Sequence, residues 1–259
     1  MMSLVDFGML RLAEMRVAMT LLTRVPAGRI NDPAPSIADA CWAFPIAGLV
    51  VGAVTALVLV GTLLAGMPKE IAVGLALTAS VVTTGGLHED GLADVADGFG
   101  GGHNRDRKLE IMRDSRIGSY GALALILTLG LRWLAMAVVV GDDALLATSA
   151  TVAIAVASRA GLPVALALLP AARNEGLGRD AARPKWVSVA IALALGLGSV
   201  VLLIGSRTAL AIAIGQMITI LLASWLAFRQ IGGQTGDVLG ATQQAADLSA
   251  WIALVWLLR

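Results

Sequence analysis

Seven apolar runs, at about 41–66, 71–87, 121–141, 144–170, 186–204, 208–228 and 241–258, occupy most of the chain. A helix needs about 20 apolar residues to cross the hydrocarbon core of a bilayer. In lipid, every backbone amide and carbonyl must be satisfied within a helix or a closed barrel. The runs therefore predict an all-α polytopic membrane bundle of about six to seven transmembrane helices. With 58% hydrophobic and 14% charged residues, the 259-residue chain is too apolar for a soluble domain. The last run is the weakest. Its first turns, Ala241-Thr242-Gln243-Gln244-Ala245-Ala246-Asp247, are too polar to face lipid, so 241–258 either lines a cavity or lies partly outside the membrane.

One domain is expected. Residues 1–40 form an N-terminal segment at the cytoplasmic interface, and 41–259 form the bundle. Within 4–24, Leu4, Phe7, Leu10, Leu12, Val17, Leu21 and Leu22 alternate with Arg11, Glu14 and Arg16, a pattern that suits an amphipathic helix lying in the interface. No cleavable leader is expected, because the charges there are spread rather than compact. Cys41 is the only cysteine, which rules out an intrachain disulfide and a thiolate metal site. A net charge of +1 argues against nucleic acid as a partner.

Charge between the runs sets the orientation. Arg11, Arg16, Arg24 and Arg29 precede the first run. Arg105, Arg107, Lys108, Arg113 and Arg116 fall in the 88–120 loop, and Arg173, Arg179, Arg183 and Lys185 in the 171–185 loop. The intervening connections hold little charge, Lys69, the pair Asp142-Asp143 and Arg207 among it. This alternation places the basic loops on the cytoplasmic side of a bacterial inner membrane. The segment Gly232-Gly233-Gln234-Thr235-Gly236-Asp237 returns to that same side.

The basic 88–120 loop opens with an acidic stretch, Leu87-His88-Glu89-Asp90-Gly91-Leu92-Ala93-Asp94-Val95-Ala96-Asp97-Gly98. On a helix, Asp90, Asp94 and Asp97 share one face. Uncompensated, each neighbouring pair would repel by roughly 4 kcal/mol at about 4 Å and an effective dielectric of about 20. Oxygen ligands point to a hard cation, and Mg²⁺ is the one that shares a few carboxylates with a substrate's phosphates. The competing reading is a solvated helix end, but no lysine relieves the charge across 85–102. His88 fits either a general base or a polar anchor at the interface.

Arg113 and Arg116 lie three apart, just before Ser119, which could cap the third crossing helix and leave amides for an anion. Their guanidinium forks suit phosphate, although basic residues here also satisfy the orientation rule or touch lipid headgroups. Arg105, Arg107 and Lys108 are assigned to that second role. Arg132 and Arg159 fall near mid-span, where charges face the bundle interior. Gly161-Leu162-Pro163 can open the helix after Arg159 toward a cavity, so Arg159 is expected to reach a substrate anion and Arg132 to be a structural partner. Acids, a hard metal and arginines together fit phosphoryl or phosphodiester transfer. No Walker lysine motif is present.

The stretches Gly86–Gly98, Arg113-Asp114-Ser115-Arg116-Ile117-Gly118-Ser119-Tyr120-Gly121 and Gly233-Gln234-Thr235-Gly236-Asp237 together resemble the cobalamin synthase family, the adenosylcobinamide-GDP ribazoletransferases. The resemblance implies an Mg²⁺-dependent transferase of substituted phosphate groups. Its substrates would be adenosylcobinamide-GDP and α-ribazole or α-ribazole 5′-phosphate, and its products adenosylcobalamin or its 5′-phosphate and GMP. It further implies that Glu89, Asp90, Asp94 and Asp97 form the metal and diphosphate centre, completed by Asp237. On the same resemblance Asp90 and Asp94 would be the catalytic carboxylates, and Arg113, Arg116, Arg159 and Gly236 would contact substrate. Either His88 or a carboxylate would deprotonate the ribazole hydroxyl. Membrane lipids surround the protein, and a homo-oligomer stays open.

Two alternatives compete. A CDP-alcohol phosphotransferase-like phospholipid enzyme would carry an Asp-Gly-x-x-Ala-Arg continuation that this chain lacks. An ion-coupled transporter would place acids at mid-depth, whereas these cluster at one face.

Overall fold

The computed structural model describes residues 4–173 and 183–259, and among them the chain is helical with no β-strand. Arg179 of the second basic loop lies outside the described residues. Helix α1 (Leu4–Leu22) is followed by α2 (Ile37–Ala40), a short 3₁₀ turn (Cys41–Ala43), and α3 (Phe44–Leu64). Next come α4 (Lys69–Thr84), α5 (Leu87–Gly101) and α6 (Arg105–Ile111). The remainder is α7 (Ser119–Asp142), α8 (Ala144–Ala160), α9 (Leu162–Leu168), α10 (Trp186–Leu203), α11 (Ser206–Ile231) and α12 (Gly236–Leu257).

Among the described residues, five segments are long and apolar enough to cross a bilayer: 37–64, 119–142, 144–168, 186–203 and 206–231. A sixth appears if α4 and α5 are counted as one bent span. The polytopic helical bundle expected from the runs is thus what forms. Outward-facing Leu123, Ile126, Leu127, Leu202, Leu210, Leu222 and Trp225 remain exposed, as lipid-facing side chains are. Inside, α3 lies against α8 because Gly48 and Gly52 let the backbones meet; a Cβ on Gly52 would stand 2.8 Å from Val152 Cα. Small residues four apart serve this purpose in membrane helix packing.

The run at 71–87 ends early. Gly85 and Gly86 both take left-handed backbone, φ 68° and 72°, where a Cβ is penalised. They turn the chain by 88° between α4 and α5. Helix α5, set at this angle to α4, lies outside the five segments that qualify as crossings on their own.

The polar first turns of the run at 241–258 face the interior of the protein, while Ile252, Trp256 and Leu257 toward its end are exposed. Helix α12 is packed within the bundle, with Thr242, Gln243, Gln244 and Asp247 all buried. Its polar residues meet partners there. Arg132 Nε of α7 stands 3.0 Å from Asp247 Oδ1, close but out of hydrogen-bonding line, which gives Arg132 the structural role expected of it. Gln243 Nε2 donates to Ser158 Oγ at 3.0 Å. Gln244 Nε2 donates to Glu89 Oε1 at 3.0 Å.

Helix α1 forms as expected, with Glu14, Ala18 and Leu22 turned inward. Its exposed residues include Val5, Phe7, Met9, Leu10 and Leu12, so its apolar residues are not confined to one stripe.

Candidate active site

The acidic motif and the late glycine-rich motif come together because α5 and α12 cross at glycine. A Cβ on Gly91 would stand 2.8 Å from the Asp237 carbonyl oxygen, and one on Gly240 would stand 3.2 Å from His88 Cα. This contact brings Asp237, in the first turn of α12, beside Asp90. The loop before α12 is itself fixed: Gln234 N donates to Pro170 O and Ala172 N to Gln234 O, both at 2.8 Å. That pairing carries Arg173 to Asp237, Nη1 to Oδ2 at 3.8 Å. Arg105 holds the same region from α6, donating to Ile231 O at 3.0 Å and to Ala172 O at 2.6 Å. It is a staple between loops rather than an orientation charge alone.

Asp90 and Asp94 line a cleft of about 480 Å³ together with Arg24, Ser115 and Arg116. Asp94 is half-buried. Burial, followed by the charges of Asp90, Asp237 and Asp97, pushes its carboxyl up to about 7. Asp237 is raised too, by burial, against the lowering effect of Arg173. Asp90 and Asp94 thus share one cleft and Asp90 and Asp237 the pocket beside it, an arrangement of like charges that a divalent ion or a proton would relieve. Arg116 is exposed and grips Asp114 in a fork, Nε to Oδ1 at 3.0 Å and Nη2 to Oδ2 at 2.6 Å, holding that carboxyl down to about 2. Arg113 faces a separate groove of about 530 Å³ with Arg105 and Arg173.

A third space adjoins the acids. His88, Asp90, Gly236 and Asp237 share a pocket of about 130 Å³ with Leu22, Phe44, Leu162 and Leu166. Gly236 has open space where a side chain would stand, so crowding does not explain the glycine.

Several expected site residues go elsewhere. Asp97 accepts hydrogen bonds from Gly118 N at 2.7 Å and Gly121 N at 2.9 Å. It caps α7 from a neighbouring helix, each of its oxygens accepting one of these bonds, a structural role that its place on the acidic face does not announce. Ser119 makes no capping bond, and the amides foreseen for a substrate anion serve Asp97. Side chains at Gly118 or Gly121 would collide with that carboxylate, which accounts for both glycines. Glu89 points into the bundle, with Oε1 on Gln244 and Oε2 buried without a partner. His88 is 2% exposed and neither ring nitrogen has a hydrogen-bond partner. Arg159, 3% exposed, donates Nη1 to Ala155 O at 3.0 Å. It lines none of these spaces. The helix does break at Gly161, but toward an apolar cavity of about 290 Å³ that Arg159 does not line.

Sequence reasoning missed Arg24 and Arg173 as site residues. In sequence both speak only to orientation, and nothing local marks them; chain crossings bring them to the acids. Among the described residues, no three His, Cys, Asp or Glu side chains are gathered closely enough to cage an ion. Mg²⁺ does not require such a cage, since it keeps several waters and is completed by substrate phosphates on one or two carboxylates. The all-oxygen set of Asp90, Asp94 and Asp237 fits it.

The bundle and its arginine-edged acidic cleft define a polytopic membrane protein with a site fitted to phosphate-bearing groups. The chain belongs to the cobalamin-5-phosphate synthase family, whose profile matches residues 14–255. It is 47% identical over 238 residues to the adenosylcobinamide-GDP ribazoletransferase of Bradyrhizobium diazoefficiens, covering 92% of this chain and 91% of that one. The proteins of that name from Mesorhizobium japonicum and Azorhizobium caulinodans are 44% and 43% identical, each over 92% of this chain and over 91% and 93% of their own lengths. No solved structure matches the chain.

Proposed function

We propose that this chain transfers the adenosylcobinamide phosphoryl group of adenosylcobinamide-GDP to α-ribazole or its 5′-phosphate. The site would face the cytoplasm from the bacterial inner membrane, in keeping with the basic loops on its side of the bundle. The relatives' shared name supports the reaction. The observation that carries it for this chain is the convergence of Asp90, Asp94 and Asp237 from two crossing helices, in a region edged by Arg24, Arg116 and Arg173.

In the reaction, a ribazole hydroxyl oxygen forms a bond to the cobinamide-bearing phosphorus. The bond from that phosphorus to the bridging oxygen breaks, and GMP leaves with that oxygen. The hydroxyl proton passes to a cleft carboxylate. Bound Mg²⁺ supplies charge neutralisation at the bridging and departing oxygens. Asp90, Asp94 and Asp237 would hold it. Arg24 and Arg116 hold the diphosphate, and Arg173 orients Asp237.

Purified protein given adenosylcobinamide-GDP and α-ribazole is expected to release GMP with Mg²⁺ and not after chelation. Asp94→Asn is expected to lose nearly all turnover while remaining folded. Undiminished GMP release in either case overturns the proposal.

A further inference from the structure

The pocket beside the acids differs from the cleft in kind. It is walled by Leu21, Leu22, Ile37, Phe44, Leu162 and Leu166, drawn from α1, α2, α3 and α9. Only His88, Asp90 and Asp237 bring polar side chains to it. His88 is 2% exposed and its Nδ1 and Nε2 both lack a partner. A buried imidazole without any hydrogen bond is costly, and nothing in the wall relieves it. An apolar pocket with one unsatisfied polar group is the usual form of a small-ligand site.

The two substrates of the proposed reaction offer three bodies to such a pocket. The corrin macrocycle is far too large for about 130 Å³. Guanine would bring several donors and acceptors to walls that can answer few of them. The dimethylbenzimidazole of α-ribazole is apolar on its methylated ring and has a single free ring nitrogen. Dry cavities of about 150 Å³ accept a benzene-sized ring, so about 130 Å³ can take the methylated edge of this base while the rest of it stays at the pocket's mouth.

We propose that this pocket receives the base of α-ribazole and sets specificity for it. The methylated ring lies against the leucine and phenylalanine walls. A His88 N–H donates to the ring nitrogen that carries no sugar. The ribose then emerges at the end of the pocket where Asp90 and Asp237 stand, which brings its hydroxyls to the carboxylates. His88 is thereby a binding and specificity residue, which leaves the carboxylate of the two proton acceptors that the sequence allows.

This inference rests on the proposed transfer reaction, and the test separates the two. Steady-state GMP release by the full-length wild type is measured with α-ribazole and with the benzimidazole riboside lacking both methyls. The wild type is expected to lose about tenfold or more in kcat/KM with the methyl-free acceptor, the scale of one or two methyl groups in an apolar pocket. Leu239 is half-buried and also lines this pocket; Leu239→Trp narrows it and is expected to raise KM for α-ribazole about tenfold while leaving KM for adenosylcobinamide-GDP within about twofold. His88→Leu is expected to behave likewise, with partial recovery in His88→Gln. Equal use of both acceptors by the wild type, or a rise in the donor's KM alone, overturns the pocket assignment and leaves the reaction standing. No GMP from either acceptor overturns both.

Discussion

Asp97 separates the structural reading of the acidic motif from the reading that makes every acid a metal ligand. In Asp97→Ala the Gly121 amide, buried and bonded at 2.9 Å, loses its acceptor at a cost of about 1–3 kcal/mol. Gly118 is an exposed residue whose bond to Asp97 is part-buried, so water replaces much of that bond, and about 0.5 kcal/mol is lost there. Removing a negative charge from the start of α7 costs about 0.3–1 kcal/mol more. Relief of the repulsion that Asp97 exerts on Asp94 offsets part of this. The expected net loss is about 2 kcal/mol for alanine. Asparagine keeps one acceptor oxygen and should cost about half that. Thermal unfolding in detergent should rank wild type above Asp97→Asn above Asp97→Ala, while the Mg²⁺ concentration for half-maximal GMP release in Asp97→Asn stays within about twofold of wild type. An Asp97→Asn protein as stable as wild type but with its Mg²⁺ dependence shifted tenfold or more would refute the capping role.

Other consequences can be measured separately. Between the ordinary carboxyl value of 3.8 and about 7, folded protein holds a proton on Asp94 that the unfolded chain has released, so metal-free stability should fall as pH rises through that window. Mg²⁺ should restore the midpoint above the window but not at its acid end, and an unchanged slope in Asp94→Asn would contradict this. Asp247→Leu leaves Arg132 unpaired in the bundle and should cost about 3–5 kcal/mol. The double variant Arg132→Met with Asp247→Leu should recover most of it, and strict additivity of the two changes would show that no pair exists. A cysteine placed by Asn104→Cys, with Cys41 buried and silent, should react with membrane-impermeant maleimide only from the inner side; labelling in intact cells would reverse the orientation.

The sequence carried the bundle because crossing a bilayer imposes a length and composition that local residues must display. It did not reveal that Gly85 and Gly86 turn α5 away from α4, since a glycine pair inside an apolar run reads equally as helix. Polar α12 was ambiguous for a related reason: Gln243, Gln244 and Asp247 are intolerable in lipid but comfortable beside Ser158, Glu89 and Arg132, and those partners are up to 155 residues away. The acids Asp90, Asp94 and Asp237 were visible as types and positions. Their division of labour with Asp97 and Glu89 was not, because one face of a helix looks uniform until α7 and α12 pack on it. Arg24 and Arg173 reach the acids only through tertiary contacts, so local spacing offered no signal for either.

The most direct measurement is the position of Mn²⁺, substituted for Mg²⁺, by anomalous scattering from the protein in complex with adenosylcobinamide-GDP. The account predicts one or more peaks in contact with Asp90, Asp94 or Asp237 and with the diphosphate, and none at Asp97 or Glu89. A bound nucleotide whose diphosphate lies away from these carboxylates, or an ion held by Asp97, would contradict it.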